Sequence, residues 1–402
     1  MKHVSYLFVL VGLALFLPGC SYIDDEPDLD SKGGSEFLFL YEPTNSATHG
    51  SEKGFFKVTA NKGEADVKRL NNFYPGLWMH VDVNKKGMVA FNAHASVIPG
   101  NASKYSKLAY FNISDPDNVK FLDPPKEAPE KWRWRINESF RPLVLKDNRI
   151  VVHLSLEYYV YGPGSKQFMG VYDPAKDSWT ISPDISTFVL AQPEKGWDTE
   201  AGLIKGDPVK SPDESRIYIT AQGWGVDGGA NHYDYEFLAY YDIDRNEFGR
   251  ILCGPHVKRG ASNKSVYYSN EGKLHAFDIN TKNDVEFEIR NGLITGAGTK
   301  DEFILTWRGS GLATYARAGN SFDEKHIINT ETLTEKKYRG LGSQAFYINN
   351  EKEIVFSATT DFYTNYASEM VIYKTPLISE NPDPELLLTL PKDFRANFWL
   401  IK

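Results

Sequence analysis

Seven stretches of the chain repeat one pattern, in which aromatic and aliphatic residues alternate with small or polar ones and run into a polar turn: residues 55–61, 108–113, 168–174, 237–243, 274–279, 312–315 and 370–373. Alternation with a period of two marks a strand that buries one face. Upstream of most of them lies a second unit, a polar turn leading into an alternating apolar strand, at residues 84–91, 146–152, 211–219, 300–305 and 349–356. With the further short strands that follow, two staggered hairpins make a four-stranded repeat. Long segments with a helical apolar period are missing, and the 23 Tyr, 24 Phe and 8 Trp are residue types that favour strands. The chain is therefore predicted to be all-β.

A four-stranded unit recurring every ~40 to 70 residues is the signature of a β-propeller, whose blades pack face to face and whose closure removes exposed sheet edges. Seven repeats predict seven blades. Residues 37–40 can complete the last blade beside residues 385–388 or 398–400, closing the ring. A two-sheet sandwich is the competing topology, because hairpin spacing alone does not separate the two. The segment Ser211-Pro212-Asp213-Glu214-Ser215-Arg216-Ile217-Tyr218 resembles the blade motif of TolB-like propellers, and turns of the Tyr172-Asp173-Pro174 type are common in propellers generally. That resemblance implies architecture and carries no activity.

The first residues break the strand pattern. Lys2, an apolar run from Tyr6 to Leu17 and the sequence Leu17-Pro18-Gly19-Cys20 read as an export signal, since a run of twelve residues is too short to span a bilayer. The pattern resembles a bacterial lipobox, which implies cleavage after Gly19 and a lipid on Cys20. The acidic stretch Asp24-Asp25-Glu26 resembles the surface-export signal of Bacteroidota lipoproteins. The expected organisation is a signal peptide over residues 1–19, a tether over 20–35 and a single propeller over 36–402, held at the outer membrane and facing the cell exterior.

A net charge of −8, with no basic domain, argues against nucleic acid as a partner. Cys20 and Cys253 are the two cysteines, so with Cys20 at the anchor no intramolecular disulfide is expected. A monomer is expected.

Propeller function is normally carried by the loops between second and third strands and by the connections between blades. The loops are expected to begin near His94, His153, Gly223, Arg308 and Thr360 and to carry Tyr158, Tyr159, Trp224, His232, Tyr233 and Tyr235. The connections add Trp132-Arg133-Trp134-Arg135, Cys253, His256 and Arg259. Aromatic rings stack on sugar faces and arginine forks pair with carboxylate or sulfate, so this face points to an acidic polysaccharide. Breaking such a polymer by β-elimination needs a group that neutralises the uronate carboxylate, a base and an acid. His94, His153, Tyr233 and Arg259 are the catalytic candidates, with the two histidines expected at strand ends, where a rigid mount is available. Trp132, Arg135, Tyr159, Trp224 and Tyr235 are the candidates for substrate binding. In Trp132-Arg133-Trp134-Arg135 the alternation predicts one pair buried and the other exposed.

This constellation resembles the propeller-fold ulvan lyases, which cleave a sulfated, uronate-containing polymer with His, Tyr and Arg on one face. The resemblance implies a polysaccharide lyase and assigns roles to His94, His153, the Tyr233 region and Arg259. It also implies a structural zinc ion on Cys253 and His256, with His232 as a third ligand. A structural zinc site takes four ligands, and a buried free cysteine beside an unrelated histidine fits the same spacing. A non-catalytic surface glycan-binding lipoprotein would use the same aromatic face without a paired base and acid. A TolB-like assembly propeller would offer a loop-packed face to a protein partner. Convergence of His94 and His153 with a tyrosine is what separates a lyase from a binder.

Overall fold

The computed structural model describes residues 35–41, 54–61, 63–75, 80–100, 107–158, 166–190, 198–226, 232–253, 257–261, 265–270, 273–290, 293–297, 303–308, 311–318, 321–329, 340–348, 353–359, 370–376, 384–389 and 397–400. The chain is a β-propeller. Among the described residues its strands pair antiparallel into seven sheets, each a meander in chain order except the one that joins Asn397–Leu400 to Ser35–Tyr41. In that first sheet the C-terminal strand Asn397–Leu400 lies beside Ser35–Tyr41, with Phe37 opposite Leu400 and Phe39 opposite Phe398. Consecutive sheets touch, and the seventh, ending in Glu385–Thr389, returns to the first. A closed ring of touching sheets is incompatible with a two-sheet sandwich.

Every one of the seven aromatic-rich stretches is the third strand of its sheet: Gly54–Asn61, Lys107–Asn112, Lys166–Asp173, His232–Asp242, Lys273–Asp278, Gly311–Ala318 and Met370–Pro376. Their apolar residues fill the spaces between blades. Between the first and second sheets Phe55 meets the rings of Phe91 and Phe111, with centroids 4.9 and 5.4 Å away. Between the third and fourth sheets Val151, Met169 and Val171 pack against Ile217, Ile219 and Tyr241. Three of these third strands leave through one turn. Asp173, Asp242 and Asp278 each accept from the amides of the turn that follows, and four residues on Asp177, Asn246 and Lys282 stand at φ of 48°, 55° and 60°. Tyr172 and Tyr241 fasten two of these turns by donating to Asp177 and Asn246 at 2.7 Å.

The turns joining first and second strands are linked from one sheet to the next. Asn84 Nδ2 of the second sheet donates to Leu145 O at 2.7 Å and Asn148 Oδ1 at 2.8 Å in the third. The Lys146 amide of the third sheet donates to Glu214 Oε2 in the fourth, and Lys146 Nζ reaches Asp213 O at 3.4 Å. Asp213 in turn fixes its own turn through the Ser215 amide (3.1 Å) and the Ser211 hydroxyl. The resemblance of residues 211–218 to a propeller blade motif thus falls on a turn that joins two blades.

Buried charges reinforce this end of the ring. Asp82, on the inner strand Val81–Val83, accepts on Oδ2 from the Val144 amide (2.7 Å) and from Lys210 Nζ (3.0 Å), while Arg141 lies 3.7 Å from Oδ1. Lys210 also donates to Val144 O at 2.6 Å. Three inner strands from three sheets therefore meet at one carboxylate.

Candidate functional site

The third sheet departs from the pattern of the others. Its inner strand is split in two: Trp132–Ile136 pairs with the far half of Ile150–Tyr158, and Leu143–Val144 pairs with the near half. The intervening residues bulge away, and a cleft of about 540 Å³ opens at the edge of Trp132–Ile136. Lys107, Asp123, Trp134, Arg135, Asn137, Glu138, Ser139, Ser155, Glu157 and Gln167 line it. The cleft lies at the end of the ring predicted to carry function, where second strands run into third strands.

The ribbon formed by Trp132–Ile136 and the end of Ile150–Tyr158 has two unlike faces. Trp132 and Trp134 are half-buried while Arg133 and Arg135 are exposed, the alternation expected from the sequence. Trp134 packs edge-on to Phe168 with centroids 4.9 Å apart, and its indole N–H donates to Glu127 O at 2.7 Å. Trp132, one pair further out and beyond the cleft lining, meets Tyr158 edge-on at 5.4 Å. On the other face Glu157 Oε2 lies 2.9 Å from Arg135 Nε and 3.4 Å from Arg133 Nη2. Across the cleft Lys107 and Asp123 form a looser pair at 3.6 Å. Among the lining residues two cations face three carboxylates, and Arg133 just outside makes the numbers equal. The described lining of the cleft is close to neutral.

Two sheets hold the bulged wall. The Asn137 amide donates to His153 O at 2.8 Å, Asn137 Oδ1 accepts from the Ser139 amide at 2.9 Å, and Asn92 Nδ2 of the second sheet donates to Glu138 O at 2.7 Å. His153 sits behind this wall, and here the structure corrects the sequence reading. The residue stands in the middle of Ile150–Tyr158, not at a strand end, because beyond it pairing continues for three residues with Lys166–Asp173 and for five with Trp132–Ile136. It is 1% exposed and packs edge-on to Phe140. Nδ1 is 3.0 Å from Asn137 Nδ2, whereas Nε2 is buried without a hydrogen bond. Burial pulls its pKa from 6.5 down to about 4, against a smaller opposing pull from Gln167. Among the described residues its side-chain partners are Asn137 and Phe140 and no tyrosine, and the buried imidazole backs the cleft wall.

This predicts an acid-sensitive fold. The unfolded chain takes up the His153 proton near pH 6.5 and the folded chain near pH 4, so stability falls as the pH drops through that window, by up to about 3 kcal/mol. His153→Gln, which removes the titrating group, is expected to shrink the difference between denaturation free energies at pH 7 and pH 4.5. An unchanged difference would rule the histidine out as its source.

His94 is where the sequence placed it, one residue past the strand Met88–Ala93. It caps a short 3-10 turn, Ala95–Val97, by accepting on Nδ1 from the Ser96 amide at 3.2 Å. Ser96 Oγ lies 2.8 Å from the same nitrogen and 2.7 Å from the Tyr74 hydroxyl, and the Tyr74 ring stacks on the imidazole at 5.2 Å. Tyr74 OH itself is 3.5 Å from Nδ1. With Nδ1 accepting an amide hydrogen, the neutral ring carries its proton on Nε2, which makes that atom a donor. Ala93, the neighbour of His94, pairs with the cleft residue Lys107, so this group stands at the cleft's end of the second sheet. Among the described residues the side-chain partners of His94 are Tyr74 and Ser96 and those of His153 are Asn137 and Phe140.

The remaining candidates are placed by backbone register or not at all. Tyr233 pairs with Gly225, Tyr235 with Gly223 and Trp224 with Asp234, in the second and third strands of the fourth sheet, Arg216–Val226 and His232–Asp242. Arg259 is the extra residue of a bulge in Val257–Ala261. The side chains of these four, and residues Cys20, Tyr159 and His256 entirely, lie outside the described residues. So do residues 1–34, with the expected signal and tether. For the zinc set the register is informative. Cys253 pairs with Phe237, five residues from His232 along the same strand, which at ~3.4 Å per residue separates the two backbones by roughly 17 Å. That is too far for both to bind one tetrahedral ion through bonds of ~2 Å. Among the described residues no group of three or more His, Cys, Asp or Glu could hold a metal.

Sequence reasoning missed Glu157, Asn137, Gln167 and the Tyr74–Ser96 partnership. The alternation in Leu154-Ser155-Leu156-Glu157-Tyr158 was the available signal for Glu157, since it continues the strand past the apolar run.

No protein-family model matches the chain, and no curated protein matches it. Among solved structures it is similar to an oligogalacturonate lyase from Vibrio parahaemolyticus, at 9% identity over 87% of this chain and 85% of that one, with a TM-score of 0.45. An oligogalacturonate lyase in complex with manganese aligns at 9% identity over 89% and 98%, with a TM-score of 0.44. A putative 6-phosphogluconolactonase from Bacteroides uniformis aligns at 13% identity over 91% and 99%, with a TM-score of 0.45. Likeness at this level transfers neither a substrate nor a site residue.

Proposed function

We propose that the protein binds a uronate-bearing polysaccharide along the edge cleft of the third sheet, displayed at the cell surface through a lipid on Cys20. The observation that carries the reading is the lining of the cleft: the indole of Trp134 and, from the other face of the same strand, the guanidinium of Arg135, with the amides and hydroxyls of Asn137, Gln167, Ser139 and Ser155. A sugar presents apolar C–H faces and a rim of hydroxyls, so a ring of this kind suits the indole and the polar groups suit the rim. Because the cleft is close to neutral, attraction at long range is weak and affinity rests on local contacts, so binding is expected to vary little with salt.

Calorimetric titration with uronate-containing oligosaccharides tests the proposal. Trp134→Ala is expected to weaken binding by roughly 1 to 3 kcal/mol, the scale of a lost aromatic contact at an interface, and wild-type protein that binds none of them would sink the reading.

Cleavage of the bound polymer by β-elimination, with ulvan as one substrate, is the second reading. One observation favours it: the hydrogen-bonded group of Tyr74, Ser96 and His94 at the same end of the ring. With Nε2 of His94 as a donor, the base would fall to Tyr74 and His94 would steady developing negative charge. The ultraviolet absorbance of a newly formed unsaturated uronate, followed in the same titration, distinguishes cleavage from capture.

A further inference from the structure

The row of side chains that includes Trp134 continues outward past the cleft. On one face of the ribbon Ile136 pairs with Leu154, Trp134 with Leu156 and Trp132 with Tyr158, and the alternation of a strand keeps all six on the same side. Exposure climbs along the row, from Leu154 at 0% through Leu156 at 6% to Tyr158 at 41%. Val67 and Leu386, the other exposed large apolar side chains among the described residues, lie on the outermost strands of their sheets. Tyr158 instead ends a second strand, one pair beyond the indole of Trp134. Its ring meets that of Trp132 at 62° with centroids 5.4 Å apart, and an edge-on pair leaves each ring a flat face that the pair itself does not cover.

We infer that Trp132 and Tyr158 form a second sugar subsite, outside the cleft and in line with Trp134, so that the ligand is a stretch of polysaccharide running out along the ribbon and not a single sugar or a dimer. This rests on the proposed saccharide-binding reading and deepens it by giving the ligand a length and a direction. Two strand positions separate Trp132 from Trp134, roughly 7 Å along the strand, a step on the scale of one sugar residue with its linkage. Water covers the outer rings in the free protein, and the apolar C–H face of a sugar displaces it favourably. The second contact is made by a chain already held in the cleft, so it forms at high effective concentration and adds to affinity without a second cost of bringing the partners together.

The test compares disaccharides with hexasaccharides, prepared from polygalacturonate and from ulvan, and reads the ratio of their affinities in each protein. Wild type is expected to bind the hexasaccharide roughly thirtyfold more tightly than the disaccharide. Tyr158→Ala is expected to bring that ratio down to roughly fivefold, about what the extra registers of a longer chain supply by themselves. Tyr158→Phe keeps the ring and is expected to keep the wild-type ratio, whereas Trp134→Ala weakens the binding of both lengths. Circular dichroism checks that each variant is folded, and Tyr158→Thr repeats the test with a residue that favours strands. A ratio in Tyr158→Ala or Tyr158→Thr equal to that of wild type, or a wild type that binds both lengths alike, would overturn the inference and leave the cleft reading standing. Binding of neither length by wild type would overturn the two together.

Discussion

Truncation after Ala396 is expected to abolish the closed fold. Asn397–Leu400 is the inner strand of the first sheet and contacts the inner strand of the seventh, Gly340–Ile348. Its loss turns Ser35–Tyr41 into an edge strand whose Phe37, Leu38, Phe39 and Leu40 are 0 to 3% exposed in the intact ring. An apolar, unpaired edge is a template for association with other chains. The truncated protein should elute as aggregate, or melt at a temperature lower by more than about 10 °C, given that each kcal/mol lost shifts the midpoint of a domain this large by only a few degrees. A synthetic peptide carrying the missing residues should restore much of the loss by adding its strand back. A monodisperse truncated protein with a wild-type midpoint would contradict the closure.

The second large effect is expected at Asp82. Asp82→Ala strands Lys210 in a half-closed environment, leaves the Val144 amide without its carboxylate and frees Arg141 from its anion. Breaking one partner of a buried ion pair costs about 3 to 5 kcal/mol, because the remaining charge stays desolvated. Chemical denaturation should show that loss. It should also show partial recovery in Asp82→Ala/Lys210→Met, where the abandoned charge is gone and a flexible apolar chain fills the space. Glu214, whose carboxyl burial pushes above the ordinary range while Lys210 pulls it back, adds a second anion near Lys210 Nζ at 3.8 Å. A loss below about 1 kcal/mol would place Asp82 among ordinary surface pairs.

The strands that were legible in the sequence are those with one wet face or a polar turn before them. Lys166–Asp173 and Arg216–Val226 announce themselves through alternation and through the turns at Asp173 and Ser211. Ser265–Asn270 escaped the second repeat pattern because Val266, Tyr267 and Tyr268 are all buried, so a strand covered on both faces shows no period of two. The boundary error at His153 has the opposite cause. Ser155 and Glu157 interrupt the apolar run and look like the onset of a loop, yet they are strand residues whose polar face lines a cleft. Arg135 was found because its spacing from Arg133 is written along the chain. Glu157 was not, because the register that sets it across from Arg133 belongs to a pairing between segments more than twenty residues apart.

Joining the two ends of the chain in one sheet also has a mechanical consequence. Ser35–Tyr41 is flanked on one side by Gly54–Asn61 and on the other by Asn397–Leu400, antiparallel to both. A pull applied through the residues that precede Ser35 acts along this strand, loading two ladders of backbone hydrogen bonds in shear instead of peeling one open from its end. Resistance to such a pull is set by the rate at which the ladders give way together. A propeller hung by its N-terminus would therefore hold its shape under drag until the whole first sheet yields.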